Sequence, residues 1–309
     1  MVIDTAEMWR IDSQFNNWLK SNQRLLREDY EKQNIKISYP AQAKSKLCII
    51  FCSSNGVYAP GTKEIYLKQI RELDRYDWQN IAKHSWLQRA AAKMIFIRDV
   101  YEQCYVTGIN SRLHDLNLLI KYLKKETQGY RVITMGSSSG GYAAVLLGIK
   151  LRARRIITMS GLFSLWLIAP RHYLLDKYKT VKQVSKYYDL RPFLKKTKIP
   201  ILYFYPAKCS LDIEQAELIK DYSNILPFRM NSAQHGPRVH GAEYPYLLLS
   251  SDRDIQKLYR RYQDKLIQPD LFWTDFRSLL RVYGLYPYRL LRKMLGKTRR
   301  MLVKEKTDA

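Results

Sequence analysis

Acidic residues, cysteine and long apolar runs are all scarce in this 309-residue sequence. Only 28 Asp and Glu stand against 53 Lys and Arg, a formal net charge of +25. Its four cysteines (Cys48, Cys52, Cys104 and Cys209) include no CxxC pair and no Cys/His cluster at zinc spacing. That argues against a disulfide framework and a structural metal, so the cysteines read as buried thiols in a reducing cytoplasm. The longest apolar stretches, residues 143–149 and 162–170, fall far short of the roughly 18–20 residues that cross a bilayer. The start, MVIDTAEMWRIDSQF, carries Asp4 and Glu7 and no apolar core, so no secretory signal is expected. Thirteen Gly and eleven Pro without a period exclude collagen-like chains. The lack of self-similarity at a period of about 20–50 residues excludes solenoids and propellers.

What is present is an apolar content of 46%, enough to build a core. The basic excess favours anionic partners: an anionic polysaccharide or oligosaccharide, an acidic membrane surface, or nucleic acid. It is concentrated towards the end, where residues 277–309 hold ten Lys and Arg against Glu305 and Asp308. Within residues 289–304, Leu291, Met294, Leu295 and Leu302 fall near one helical face, and Arg289, Arg292, Lys293 and Arg300 near another. That pattern suits peripheral contact with an acidic membrane from the cytoplasmic side, and equally a solvated helix packed on the domain. No nucleic-acid partner is expected, because zinc-finger spacing, an aromatic RNA-binding signature and a helix-turn-helix are all missing.

Residues 1–40 read as a helical segment and 251–309 as a basic helical region, with an α/β domain over 41–250 between them. Short β-branched runs predict strands at Leu47–Cys52, 94–97, 131–135, Arg155–Met159, 200–205 and, more weakly because of Pro227, Ile225–Met230. Helical patterns fall between them: 63–74, 111–127 with Ser111 as a plausible N-cap, and 212–222. The alternation predicts a mostly parallel sheet with helices on both faces. Residues 160–197 look like a helical insertion placed to cover a site at the carboxyl ends of the strands.

The chemistry-bearing stretch is RVITM-GSSSG-GYAAVLLG. Its G-x-S-x-G pattern, Gly136 to Gly140, sits between a predicted strand and a predicted helix. That is the setting of a nucleophile elbow, in which a sharp turn presents Ser138 at a helix N-terminus. The base should follow the last strand, which leaves His235 or, as the alternative, His240 in SAQHGPRVHG; His84, His114 and His172 lie elsewhere. The acid should follow the strand before, where Asp212 is the first carboxylate, with Asp176 and Asp189 as alternatives. For an oxyanion hole, one amide would come from Ser139 and the second from Ser54 or Asn55, after the first core strand.

Over residues 47–249 these features resemble the α/β-hydrolase superfamily. GSSSGGYAAVLLG, IFIRD and SAQHG are more narrowly similar to hydrolase-fold proteins of bacterial capsule and surface-polysaccharide loci, which include capsular sugar O-acetyltransferases. The resemblance implies a Ser–His–Asp triad, no bound cofactor, and acetyl-CoA as acyl donor to a polysaccharide. Two other outcomes stay open, a carbohydrate esterase or deacetylase and a non-catalytic accessory protein of polysaccharide biosynthesis or export. One departure stands out: Cys209 occupies the place near which many hydrolases of this fold carry their acid.

Overall fold

Segments rich in Ile, Val, Phe and Tyr bury best where both faces are covered, and seven of them make one sheet. The computed structural model describes residues 17–55, 62–236 and 243–268. Strands β1 (Ile35–Ser38), β2 (Leu47–Cys52), β3 (Ala91–Ile97), β4 (Arg131–Ser137), β5 (Arg155–Met159), β6 (Ile201–Pro206) and β7 (Ile225–Met230) run in the order β1-β3-β2-β4-β5-β6-β7. β1 pairs antiparallel with β3, and every other neighbouring pair is parallel. All residues of β2 and β5 are buried, as continuous apolar runs in a covered parallel sheet should be. The order reverses at β2: the chain crosses from it to β3 on one side and then returns to β4 on the other. Crevices at such reversals, outside the carboxyl ends of the strands, are where open α/β sheets bind ligands.

The helices include α1 (Gln23–Tyr30), α2 (Leu116–Glu126), α3 (Ser138–Lys150), α4 (Ser210–Glu217), α5 (Tyr244–Leu249) and α6 (Asp252–Tyr262). Helix α3 is buried without a break from Ser139 to Gly148, which its run of Gly and Ala permits against the sheet. The Thr134 hydroxyl of β4 donates to the Ala144 carbonyl of α3 at 2.7 Å. The stretch from 160 to 197 is a chain of short helices, among them Tyr173–Tyr178 and Arg191–Leu194, as its pattern predicts. It is tied down by the Gln215 side chain of α4, whose Oε1 accepts from the Phe163 and Ser164 amides at 2.7 and 2.9 Å.

Several expectations need correction. Residues 1–40 are not wholly helical, because Ile35–Ser38 joins the sheet as an edge strand. Its alternation spans only four residues, too few to outweigh the helical pattern before it. Ser111 does not cap the following helix; Asp115 does, its carboxylate accepting from the Leu118 amide at 2.8 Å. Pro227 does not interrupt β7, which as the last strand of the sheet can spare one donor on its outer side. The compact unit that holds the sheet continues past 250, to Ile267. Helix α6 belongs to the larger unit, with Tyr259 edge-on to Phe228 of β7 and Asp252 bonded to Arg155 of β5. The basic amphipathic segment 289–304 lies outside the described residues, and among those residues no helix is long and apolar enough to cross a membrane.

Candidate active site

Ser138 stands where β4 ends and α3 begins, with φ of +51°. An L-residue in this left-handed region costs roughly 1–3 kcal/mol and persists only where its surroundings enforce it. The two flanking glycines show the enforcement. A Cβ on Gly136 would lie 2.0 Å from the Gly140 carbonyl oxygen, and one on Gly140 would lie 2.4 Å from that of Cys52. The elbow is thus folded on itself and pressed against the end of β2, at the reversal of strand order.

The Ser138 hydroxyl lies 2.9 Å from His235 Nε2, and His235 Nδ1 lies 2.7 Å from Asp212 Oδ2. Asp212 comes from the first turn of α4, where the helix N-terminus favours negative charge, and its side chain is 1% exposed. His235 comes from the loop after β7. That loop is held by the Gly236 amide, which donates at 3.0 Å to the hydroxyl of Ser160 at the end of β5. Three separate crossovers therefore deliver one side chain each to a single chain of hydrogen bonds. Burial opposes charging of His235, but the Asp212 charge and hydrogen bond, with the Cys209 side chain beside them, outweigh it and raise the imidazole from 6.5 to about 10. The physical meaning is that the imidazolium is strongly stabilised here.

The alternatives are accounted for among the described residues. Asp176 pairs with Lys179 at 2.6 Å, and Asp189 makes a forked pair with Arg191. His84 and His172 each cap a short helix, accepting from the Trp86 and Leu175 amides, and His114 is exposed. His240 lies outside the described residues. Cys209, at the N-cap of α4, contributes its sulfur to a cluster with Asp212 and His235 whose ligand-type atoms lie within 4.8 Å. A cation there would compete for a histidine already bonded on both ring nitrogens.

The loop after β2 departs from expectation. The Ser54 amide and hydroxyl both donate to Asp77 Oδ2 at 2.8 Å, so Ser54 is not an available oxyanion donor. The Asn55 amide donates to the Ser139 hydroxyl at 3.1 Å, and that hydroxyl donates back to Asn55 Oδ1 at 2.6 Å. The loop is in this way clasped to the elbow. Ser139 keeps a backbone N–H in the first turn of α3, where no intrahelical acceptor exists. Residues 56–61 lie outside the described residues.

Asp77 is a residue the sequence did not single out. Burial pushes its carboxyl above the ordinary value, against the lowering effect of the Ser54 hydrogen bonds. Its own amide donates to the Ser53 hydroxyl at 2.9 Å, and the indole of neighbouring Trp78 donates to the Cys52 carbonyl at 3.1 Å. No local motif marks Asp77, because its partners are 23 and 24 positions away.

No family model and no curated protein matches the chain. Solved structures similar to it include the capsule O-acetyltransferase of Neisseria meningitidis serogroup A with CoA, at 17% identity and a TM-score of 0.43 over 64% of this chain and 84% of that one. An α/β hydrolase from the metagenome of lagoon sediments at Mar Chica, Morocco, is similar at 14% identity and a TM-score of 0.41, over 75% and 96% of the two chains. A lipase/esterase from Lactobacillus plantarum is similar at 14% identity and 0.43, over 72% and 92%. The fold is α/β-hydrolase-like: a mostly parallel seven-stranded sheet with helices on both faces and the elbow serine at its carboxyl edge.

Proposed function

We propose that this chain is a serine acyl-transfer enzyme in which Ser138 carries the acyl group, His235 is the base and Asp212 orients it. The observation that carries this reading is the continuous hydrogen-bond chain from the Asp212 carboxylate through His235 to the hydroxyl of a strained elbow serine. As Ser138 Oγ attacks an ester or thioester carbonyl, its proton passes to His235 Nε2, and Asp212 stabilises the imidazolium. The oxyanion forms at the start of α3, beside the Ser139 amide. Asn55 becomes a second donor when its amide is freed from the Ser139 hydroxyl. Collapse of the tetrahedral intermediate returns the proton to the leaving group, and an acceptor hydroxyl activated by the same histidine then attacks the acyl-enzyme.

The finer reading is O-acetylation of a bacterial capsular or surface polysaccharide by acetyl-CoA, supported by the motif resemblance carried by GSSSGGYAAVLLG, IFIRD and SAQHG. A cytoplasmic setting, where acetyl-CoA and nascent polymer meet, accords with it. Water as acceptor would make the same site an esterase. Fluorophosphonate labelling of the purified protein tests the common step: labelling is expected, and it should vanish in Ser138→Ala. A folded wild-type protein that takes up no label would favour the accessory, non-catalytic role. Incubation with acetyl-CoA, with and without oligosaccharide acceptors, then separates transfer from hydrolysis by whether acetyl appears on sugar or as free acetate.

A further inference from the structure

Lysines that solvate a surface are normally dispersed or paired, whereas on one flank of this molecule they converge. A cleft of about 370 Å³ is lined by Asn117, Ile120, Lys121, Lys124, Lys150 and Tyr187. Asn117 to Lys124 come from successive turns of α2, Lys150 from the last turn of α3, and Tyr187 from the insertion after β5. None of these three lysines forms an ion pair with a described carboxylate. The nearby acids are engaged: Glu126 pairs with Lys93, and Asp115 caps α2. Lys150 is half-buried with its ammonium 4.2 Å from the Phe193 ring centroid. Burial lowers its ammonium pKa below the usual lysine value, and the charges of Lys124, Lys186 and Lys196 lower it further. Three lysines therefore line one half-enclosed space with no ion-pair partner among the described residues, and Lys186 and Lys196 add positive charge beside Lys150. The polar floor is similarly one-sided. The Tyr187 hydroxyl donates to Asn117 Oδ1 at 2.6 Å, which turns the Asn117 carboxamide so that its NH2 is left as a donor.

Donors without acceptors, and cations without anions, describe the complement of a multiply charged anion. We infer that this cleft is a binding site for a ligand carrying two or more closely spaced phosphate groups, held by Lys121, Lys124 and Lys150 with the Asn117 amide as a directional donor. The volume lies within the range of small-molecule sites, too large for a single phosphate alone. Lys150 stands at the far end of α3, roughly 18 Å along the helix axis from Ser138. The cleft is therefore separate from the elbow, and its occupancy does not rest on the acyl-transfer reading. Two sources share this chemistry, the phosphates of a nucleotide-bearing donor and a phosphodiester polymer.

Calorimetric titration of the full chain with inorganic pyrophosphate tests the inference. Wild type should bind, less tightly as salt is raised. Lys121→Gln/Lys124→Gln should weaken binding by about tenfold or more, while Lys121→Arg/Lys124→Arg should retain it within about threefold, since the charge is kept. Lys44→Gln/Lys46→Gln removes equal charge from positions elsewhere on the surface and should change affinity by no more than about twofold. Thermal melts of each variant verify folding. The inference is overturned if wild type does not bind pyrophosphate, or if the two Gln pairs weaken it equally, which would reduce the effect to net charge. Displacement of pyrophosphate by adenosine 3′,5′-bisphosphate would assign the cleft to a nucleotide-type ligand, and displacement only by poly(glycerol phosphate) would assign it to a polymer.

Discussion

At the amino end of β5, Arg155 is 1% exposed, and its guanidinium donates to the Leu247 carbonyl at 2.9 Å, the Ser250 carbonyl at 3.0 Å and the Asp252 carboxylate at 2.5 Å. At the carboxyl edge of the same sheet, Asp212 is equally buried, but its hydrogen bond leads through His235 to a hydroxyl. Both places bury a charge, and they differ in where the hydrogen bonds end. Around Arg155 they end on carbonyls and a carboxylate that accept and do nothing more, so the charge fastens α5 and α6 to the sheet. Around Asp212 they end on the Ser138 hydroxyl, whose oxygen would form the new bond in the proposed reaction. Backbone strain does not divide this way: φ is positive at Trp78, Ser138 and Ser160 near the carboxyl edge, and also at Arg152 just before the amino end of β5. Burial of a polar group therefore does not by itself distinguish the two places; the terminus of its hydrogen-bond chain does.

Exchanging the consequences at the two places puts this contrast at greatest risk. Asp212→Asn is expected to slow fluorophosphonate labelling and ester turnover by roughly 10⁴-fold, because the amide favours the wrong histidine tautomer, and to lose the stability that the charged imidazole gains from the Asp212 carboxylate at neutral pH. Arg155→Met should spare the chemistry. It leaves the Leu247 and Ser250 carbonyls without their buried donor at a cost of about 2–3 kcal/mol, seen as a lower denaturation midpoint, with the folded fraction labelling at the wild-type rate. If Asp212→Asn labelled normally, the carboxyl edge would be as static as the Arg155 anchor.

The pH dependence separates the two places further. Proton abstraction from Ser138 requires neutral His235, whose imidazole is raised to about 10. Labelling should accordingly climb with pH from 7 towards 10, and a profile flat above pH 7 would contradict the strong Asp212 coupling. The sign for stability is opposite. The stabilisation from protonated His235 is fully present below 6.5 and fades as the pH passes about 10. Gly140→Ala probes strain: its methyl would meet the Cys52 and Ser53 carbonyl oxygens at 2.4 and 2.7 Å, so a loss of about 1–3 kcal/mol and slower labelling should occur together. The smallest effect is expected at Asp77. Asp77→Ala should reduce the labelling rate by about 10- to 100-fold by loosening the loop after β2, and Asp77→Asn should recover most of it, since one amide oxygen can still accept both Ser54 donors. Equal rates in the two variants would make Asp77 a packing residue.

How much was legible depends on the range of each interaction. The Ser138 elbow is local: strand, two obligatory glycines, a serine and a helix of small residues lie within twenty positions, and each imposes a steric demand visible in sequence. Asp212 and His235 are legible only through chain order, as the first carboxylate after one strand and a histidine after the next. Ser54 is misread because nothing near it in sequence shows that a carboxylate 23 positions later takes its amide. The β1 strand escapes notice because an edge strand of four residues draws its stability from β3 rather than from its own pattern. Residue pattern and local sterics alone set the alternation that forces a parallel sheet, the place of the sharp turn, and the small residues that let α3 lie against the strands. Three-dimensional packing was needed to settle which carboxylate meets which histidine, that Asp77 fastens the loop after β2, and that lysines from α2 and α3 share one cleft. Hydrogen bonds and charges between distant segments leave no periodicity, and they exist only once burial has brought those segments together.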